Sequence, residues 1–383
     1  MKTYYFDHAA TTPMHPDVAQ AMLEVMQGPG GNPSSMHAYG RAAKQLVTRS
    51  RDRIAAAIGC KPSELVFTSG GTESDNAALI GAAYAMRKQG KNHIITSAIE
   101  HHAVLHTCEW LKSEGFRLSV LPVDERGTLS PETVKAAITP ATGLISVMHG
   151  NNEVGTLQPI AAIGELAKAA GALFHVDAVQ SLGTFEYRLD EMPVDFMSFS
   201  AHKINGPQGV GAMYLRTGAP FVPQQHGGSQ ERKRRAGTEN VAGIVGFAKA
   251  VEICVNERDV KQPFLDKLRT IWIESLIGEL GQDGIAVNGH PETRLPNIAN
   301  ISFLGTDTET MLMNLDMAGI AASSGSACTS GSLERSHVLK AMELSEERLN
   351  SAVRFSFGLG NTEEEIKDAA QIVATIVRRV RTI

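Results

Sequence analysis

The chain has 383 residues, with 36 Lys and Arg against 41 Asp and Glu, a formal net charge of −5. With 43% hydrophobic and 20% charged residues it can bury a large core, which excludes a disordered chain. The mild acidity excludes a protein built to coat nucleic acid or an anionic membrane, because that affinity comes from an excess of Lys and Arg.

In chain order, residues 1–12 carry Asp7 and His8 in place of a basic start and an apolar leader, and no apolar run approaches the roughly 18 residues of a membrane span. Short apolar runs then predict strands at 65–68, 93–96, 118–121, 144–148 and 173–177. Helical patterns lie between them at about 72–89, 104–114 and 160–170. Alternation at this spacing predicts a mostly parallel sheet with helices on both faces, whose ligands bind at the carboxyl ends of the strands. Two more apolar runs follow at 196–200 and 210–215, and then a long helical stretch from about 241 to 278, interrupted near Pro263. The remainder reads as a smaller α+β unit, with a strand at 298–303, a helix at 308–317, a strand at 353–357 and a last helix from Thr362. The boundary between the two units is expected near residue 255.

Three segments carry chemistry. Ser69-Gly70-Gly71-Thr72-Glu73-Ser74 joins a strand to a helix, where exposed N–H groups and the positive end of the helix dipole make a seat for a phosphate. An ordinary glycine turn reads the same way. Asp177 ends an apolar strand in His175-Val-Asp177-Ala-Val-Gln180, a place where a carboxylate asks for a cationic partner or caps a helix. Lys203 follows another strand in Ser198-Phe-Ser200-Ala-His202-Lys203, ahead of the glycine-rich stretch 204–211. A lysine there is either a surface residue or, partly buried, an amine with a lowered pKa suited to condensing with a carbonyl. Together the three match the handles of pyridoxal 5′-phosphate: its phosphate, its pyridine nitrogen and its aldehyde.

The same segments resemble the class V pyridoxal phosphate enzymes of the aspartate aminotransferase fold (fold type I), and within them the NifS/IscS-type cysteine desulfurases. The likeness runs from Tyr5-Phe-Asp-His-Ala-Ala-Thr-Thr-Pro13 through Asn32-Pro-Ser-Ser-Met-His37, Glu100-His-His-Ala103 and Met148-His-Gly-Asn-Asn-Glu-Val-Gly155. It continues through Arg235-Ala-Gly-Thr-Glu-Asn240 to Ser323-Ser-Gly-Ser-Ala-Cys-Thr-Ser-Gly331. The resemblance implies an α/β fold with a mostly parallel seven-stranded sheet in a large cofactor-binding domain, residues 15–255. It also implies a small α+β domain, residues 1–14 and 256–383, carrying the catalytic cysteine loop.

Residue by residue, it implies Lys203 as the Schiff-base lysine, Asp177 facing the pyridine nitrogen, Gln180 near the ring hydroxyl, and Thr72, Ser200 and His202 around the phosphate. His101 would stack on the ring and Asn152 would contact cofactor and substrate. Arg354 would hold the substrate carboxylate, as suits a guanidinium fork. Thr238 would reach the phosphate of a second subunit, which implies a homodimer with shared active sites. His102 reads as structural. Arg335 stands where the family often has proline.

Cys328 names the reaction. Four cysteines, Cys60, Cys108, Cys254 and Cys328, are widely spaced with no Cys-x-x-Cys pair, which excludes a readable zinc knuckle or disulfide framework and points to the reducing cytoplasm. Cys60, Cys108 and Cys254 sit in helical or apolar contexts, whereas Cys328 lies in a run of small polar residues expected to form a mobile, exposed loop. The resemblance implies that L-cysteine becomes L-alanine while Cys328 takes its sulfur as a persulfide and passes it to an acceptor, an iron–sulfur scaffold or a tRNA thiolase. A thiol titrates near about 8.5, so it needs activation, with His101 as a candidate proton acceptor. The alternatives are a selenocysteine lyase, another class V reaction, or a non-catalytic sulfur carrier. The basic run Arg232-Lys-Arg-Arg235 reads as a solvated loop leading into the Thr238 segment, with direct nucleic-acid contact disfavoured.

Overall fold

The computed structural model describes residues 2–325 and 335–382, so Cys328 lies outside the described residues. The chain enters through a short strand, β1 (Tyr4–Tyr5), and two helices, α1 (Pro16–Gln27) and α2 (Ala38–Ala57). Neither helix was expected from the apolar pattern. Their starts are set by His15 and His37, whose ring nitrogens accept from Asp17 N and Gly40 N, and by Pro16, which costs no hydrogen bond at a first helical position.

The alternation then runs as expected through β2 (Leu65–Thr68), α3 (Gly71–Arg87), β3 (His93–Ser97), α4 (His102–Ser113), β4 (Arg117–Leu121), α5 (Pro131–Ala137), β5 (Thr142–Met148), α6 (Ile160–Ala169), β6 (Leu173–Asp177), β7 (Phe196–Ser200) and β8 (Gly211–Leu215). These strands make a seven-stranded sheet ordered β2-β8-β7-β6-β5-β3-β4. Strands β7, β6, β5, β3 and β4 are parallel, and β8 is antiparallel to both of its neighbours. Every residue of β5 to β8 is buried, as a sheet covered on both faces requires, whereas the edge strand β4 is largely open. The strand order reverses between β3 and β5, which opens a crevice above their carboxyl ends.

Helices α7 (Val241–Asn256) and α8 (Arg258–Leu280) follow. The interruption in this stretch falls at Glu257 and not at Pro263, which lies inside α8 near its start. Pro263 has no N–H to offer the helix, yet α8 continues through it to Leu280. The rest comprises β9 (Ile285–Asn288), β10 (Ile298–Phe303), α9 (Thr308–Met317), β11 (Ile320–Ala321), α10 (His337–Ala341), α11 (Glu346–Asn350), β12 (Ala352–Ser356) and α12 (Glu363–Val380). Strands β12, β10 and β9 form an antiparallel sheet in that order, and β11 pairs in parallel with β1.

Two faces of the large sheet are packed separately, one around Phe67, Val147, Phe174, Met197 and Phe247, the other around Leu79, Ile94, Val104, Leu144 and Phe196. A further core gathers Tyr4, Phe6, Trp272, Phe303, Phe355, Phe357 and the apolar face of α12. Trp272 is fully buried there, its ring 5.4 Å from Phe6 and 4.7 Å from Phe355.

Candidate active site

A cleft at the carboxyl ends of β5, β6 and β7 is lined by Thr72, His101, Asn152, Asp177, Gln180, Ser200, His202, Lys203 and Arg354. The first wall is the turn from β2 into α3. Gly70 precedes α3 with no side-chain cap, which leaves the first backbone donors of the helix to a ligand. A Cβ on Gly71 would come within 2.6 Å of Val179, so glycine is what lets this turn settle against the loop after β6. Thr72, Ser200 and His202 border the same space. Burial and then the nearby Lys203 charge push His202 down to about 4, so it is a neutral ring, bonded at Nδ1 to Thr11 Oγ1 at 3.1 Å. Glu73 is not part of the cleft lining and is tied to Ser69 N at 2.7 Å and to Arg235 at 2.8 Å.

Asp177 ends β6 and is 6% exposed. One oxygen accepts from Val179 N at 2.9 Å, and it has no ion-pair partner within 4 Å among the described residues. Burial, with Asp75 adding to it, pushes Asp177 up to about 7. Asp75, on α3 and also in the cleft wall, is 1% exposed and likewise pushed up to about 7 by burial. Between the two sits His175, bonded to Ser146 Oγ at 2.8 Å and Ser198 Oγ at 3.0 Å, with Nε2 3.5 Å from Asp75. Burial holds His175 down to about 4, so it supplies no positive charge.

Lys203 closes a short 3-10 turn, Ala201–Lys203, directly after β7. Its Nζ donates to the carbonyls of Ala9 at 2.6 Å and Ala10 at 2.7 Å, and Gln180 Nε2 also donates to Ala9 at 2.9 Å. The run 5–13 quoted from the sequence is therefore the floor beneath the lysine. His101 caps α4 by accepting from Ala103 N at 3.1 Å, and burial followed by the Lys203 charge pushes it down to about 4.

Arg354 arrives from β12, on the smaller sheet, with 1% exposure. It donates to Asp7 Oδ1 at 2.8 Å, to the Asn152 carbonyl at 2.9 Å and to the Gly325 carbonyl at 2.6 Å, while its buried Nε has no partner among the described residues. The other oxygen of Asp7 accepts from Ser323 Oγ at 2.8 Å.

Thr238 is exposed and lines no part of this cleft. His102 packs its ring against His106 at 4.8 Å and His337 at 4.6 Å, in keeping with a structural place. The basic run is not wholly solvated: Arg234 donates to the Ser63 carbonyl and Arg235 pairs with Glu73, leaving Arg232 and Lys233 exposed. Burial pushes the thiols of Cys60, Cys108 and Cys254 up to about 12, so none of the described cysteines is a ready thiolate. The sequence reading passed over Asp7, Asp75 and Glu153. Asp75 and Glu153 sit among polar neighbours, in Glu73-Ser74-Asp75-Asn76 and Asn151-Asn152-Glu153, so nothing local in the sequence marks either as buried.

The donor set fits pyridoxal 5′-phosphate on the chain's own terms. A helix start and hydroxyls offer an anion seat, a buried carboxylate makes no ion pair among the described residues, and an amine lies in the same cleft.

The "Aminotransferase class-V" family model matches residues 4–368. The chain is 49% identical over 383 residues to "Putative cysteine desulfurase IscS 1" of Bacillus subtilis, covering 99% of this chain and 100% of that one. Among solved structures, a "NifS-like protein" superposes with a TM-score of 0.92 at 37% identity, over 99% of this chain and 100% of the other. A second, "SspA in complex with cysteine", matches with a TM-score of 0.82 at 36% identity, over 93% of this chain and 99% of that one.

Proposed function

The chain belongs to the class-V aminotransferase family, and on that premise we propose that it is a cysteine desulfurase in which two separately folded cores deliver opposite handles to one cleft. The observation that supports this most is the meeting of Lys203, from the large sheet, and the buried Arg354, from the small one, beside an Asp177 that makes no ion pair among the described residues. We take the two cores as a large domain, 15–255, and a small domain, 1–14 with 256–383.

Pyridoxal 5′-phosphate, when bound, supplies an electron sink for negative charge developing at the substrate Cα. Thr72, Ser200, His202 and the start of α3 hold its phosphate, Gln180 its hydroxyl, Asn152 and His101 the ring. Asp177 keeps the pyridine nitrogen protonated, because a cation there removes the cost of a buried unpaired carboxylate. Arg354 binds the carboxylate of L-cysteine, and Asn152 borders the substrate. Lys203 Nζ is the attachment point for the cofactor and then the base that takes the Cα proton. Cys328 attacks the substrate sulfur: the Cβ–S bond breaks, an S–S bond forms, and alanine leaves a persulfide behind. His101 is neutral, and since its Nδ1 accepts from Ala103 N, its one proton sits on Nε2; the ring takes a proton from Cys328 only at Nδ1, on giving up the Ala103 hydrogen bond.

The exposed Thr238 reaches the phosphate seat of a second copy, giving a homodimer with shared sites, and the persulfide passes to an iron–sulfur scaffold or a tRNA thiolase. Among the described residues no helix is long and apolar enough to cross a membrane, and a reducing cytoplasm suits a persulfide. The test is alanine and sulfide release from L-cysteine under reductant. Cys328→Ser should retain cofactor yet lose turnover, and Lys203→Ala should lose the borohydride-reducible cofactor adduct. Alanine released by Cys328→Ser at the parent rate would refute the persulfide role.

A further inference from the structure

Glu153 follows Asn152 at the cleft wall, is fully buried, and forms no ion pair among the described residues. Its Oε2 accepts a hydrogen bond from Ser336 Oγ at 2.5 Å, and its Oε1 has no hydrogen-bond partner among those residues. The same carboxyl lies against Gly325, where a Cβ would overlap Oε2. Gly325 has φ +137, a conformation open in practice to glycine alone, so both backbone and space demand that residue.

Gly325 and Ser336 flank residues 326–334, the interval that carries Cys328 in the sequence. Each end has a second tie. Gly325 O accepts from Arg354, and Ser323 pairs through its backbone with Arg354. On the far side Ser336 Oγ caps α10 by accepting from Leu339 N, and His337 Nε2 donates to the Glu100 carbonyl at 2.9 Å. One buried carboxyl thus touches both ends of the interval.

We propose that Glu153 is a positioning residue for sulfur transfer, clasping Gly325 and Ser336 together so that Cys328 departs from a fixed base beside Arg354. The inference rests on the reading of Cys328 above. Drawing together the ends of a chain segment costs conformational entropy, and without the clasp that cost recurs each time the thiol must meet the substrate sulfur. Burial pushes the Glu153 carboxyl up, with Ser336 and then Arg354 pulling it down. A clasp that tends toward the neutral acid tolerates burial without a cation.

Two readouts on the holoenzyme separate positioning from general damage. The first is exchange of the Cα proton of L-alanine with deuterated solvent, which uses cofactor, Lys203 and Arg354 but not Cys328. The second is persulfide on Cys328 after a pulse of L-cysteine, read by mass spectrometry. Glu153→Ala and Ser336→Ala should keep exchange within about twofold while persulfide formation slows about tenfold or more, the worth of one buried hydrogen bond to a positioned group. Glu153→Gln, which still accepts from Ser336, should recover most of the rate. Equal losses in both readouts, or no loss of persulfide rate in Ser336→Ala, would overturn the clasp. Should Glu153→Ala fail to fold, Ser336→Ala decides alone. A parent enzyme that forms no persulfide on Cys328 would overturn the underlying reading instead.

Discussion

Asp177 and Arg354 are both buried against one cleft, yet they are held under opposite conditions. Asp177 comes from the large sheet with a single backbone hydrogen bond and no ion pair among the described residues, and burial drives it toward the protonated form. Arg354 comes from the small sheet already paired with Asp7 and bonded to two carbonyls. The first charge is an open demand that, in the proposed function, a bound cation would answer. The second is a satisfied group, which in the proposed function a substrate carboxylate would reach by competing for donors. The contrast accounts for why a cofactor would stay while a substrate comes and goes.

Breaking the demand should have the largest effect. Asp177→Ala should lower cofactor affinity by about two to three orders of magnitude, the scale of removing one partner of a buried charge pair, measured by titrating the cofactor-free chain. A loss under threefold would remove the contrast. Arg354→Lys should raise KM for L-cysteine about 10- to 100-fold while leaving cofactor affinity and the KM for cysteamine, which lacks the carboxylate, unchanged. An equal penalty on cysteamine would move Arg354 out of carboxylate binding. Asp7→Asn keeps an acceptor but removes the charge, and should cost about 1–3 kcal/mol in urea unfolding; an unchanged midpoint would mean that Arg354 does not need its pair.

The smallest effect is in pH. Asp75 and Asp177, pushed up to about 7, and Glu100, up to about 8, hold protons in the folded chain that the unfolded chain has released above about pH 4, so they subtract stability as pH rises through their folded values. Five buried or half-buried histidines, His8, His101, His149, His175 and His202, held down to about 4, add stability as pH rises from about 4 to about 6.5. The cofactor-free chain should therefore be most stable near pH 6.5 and weaken toward pH 8, less so in Asp177→Asn. A profile that keeps rising to pH 8 would contradict this assignment.

Much of the large sheet is legible because its strands are buried on both faces, so runs such as Leu65-Val-Phe-Thr68 and Leu173-Phe-His-Val-Asp177 stand out without alternation. Asp177 and Lys203 are legible as charges at the ends of those runs. Arg354 is not, since nothing around Ala352–Ser356 says which side of the small sheet meets the cleft, and its role came from the family resemblance. The break at Glu257 escaped because the pattern stays helical through it, and Pro263 was the louder but weaker signal. Asp7 and Glu153 gain their meaning from partners 347 and 183 residues away, Arg354 and Ser336, which local pattern does not connect.

The most direct test of the account is to pulse the cofactor-loaded protein with one equivalent of L-cysteine and then map the added sulfur by peptide mass while counting alanine. One sulfur on Cys328 for each alanine formed is the expected result. Alanine without sulfur on Cys328, or sulfur on Cys60, Cys108 or Cys254 in its place, would contradict it.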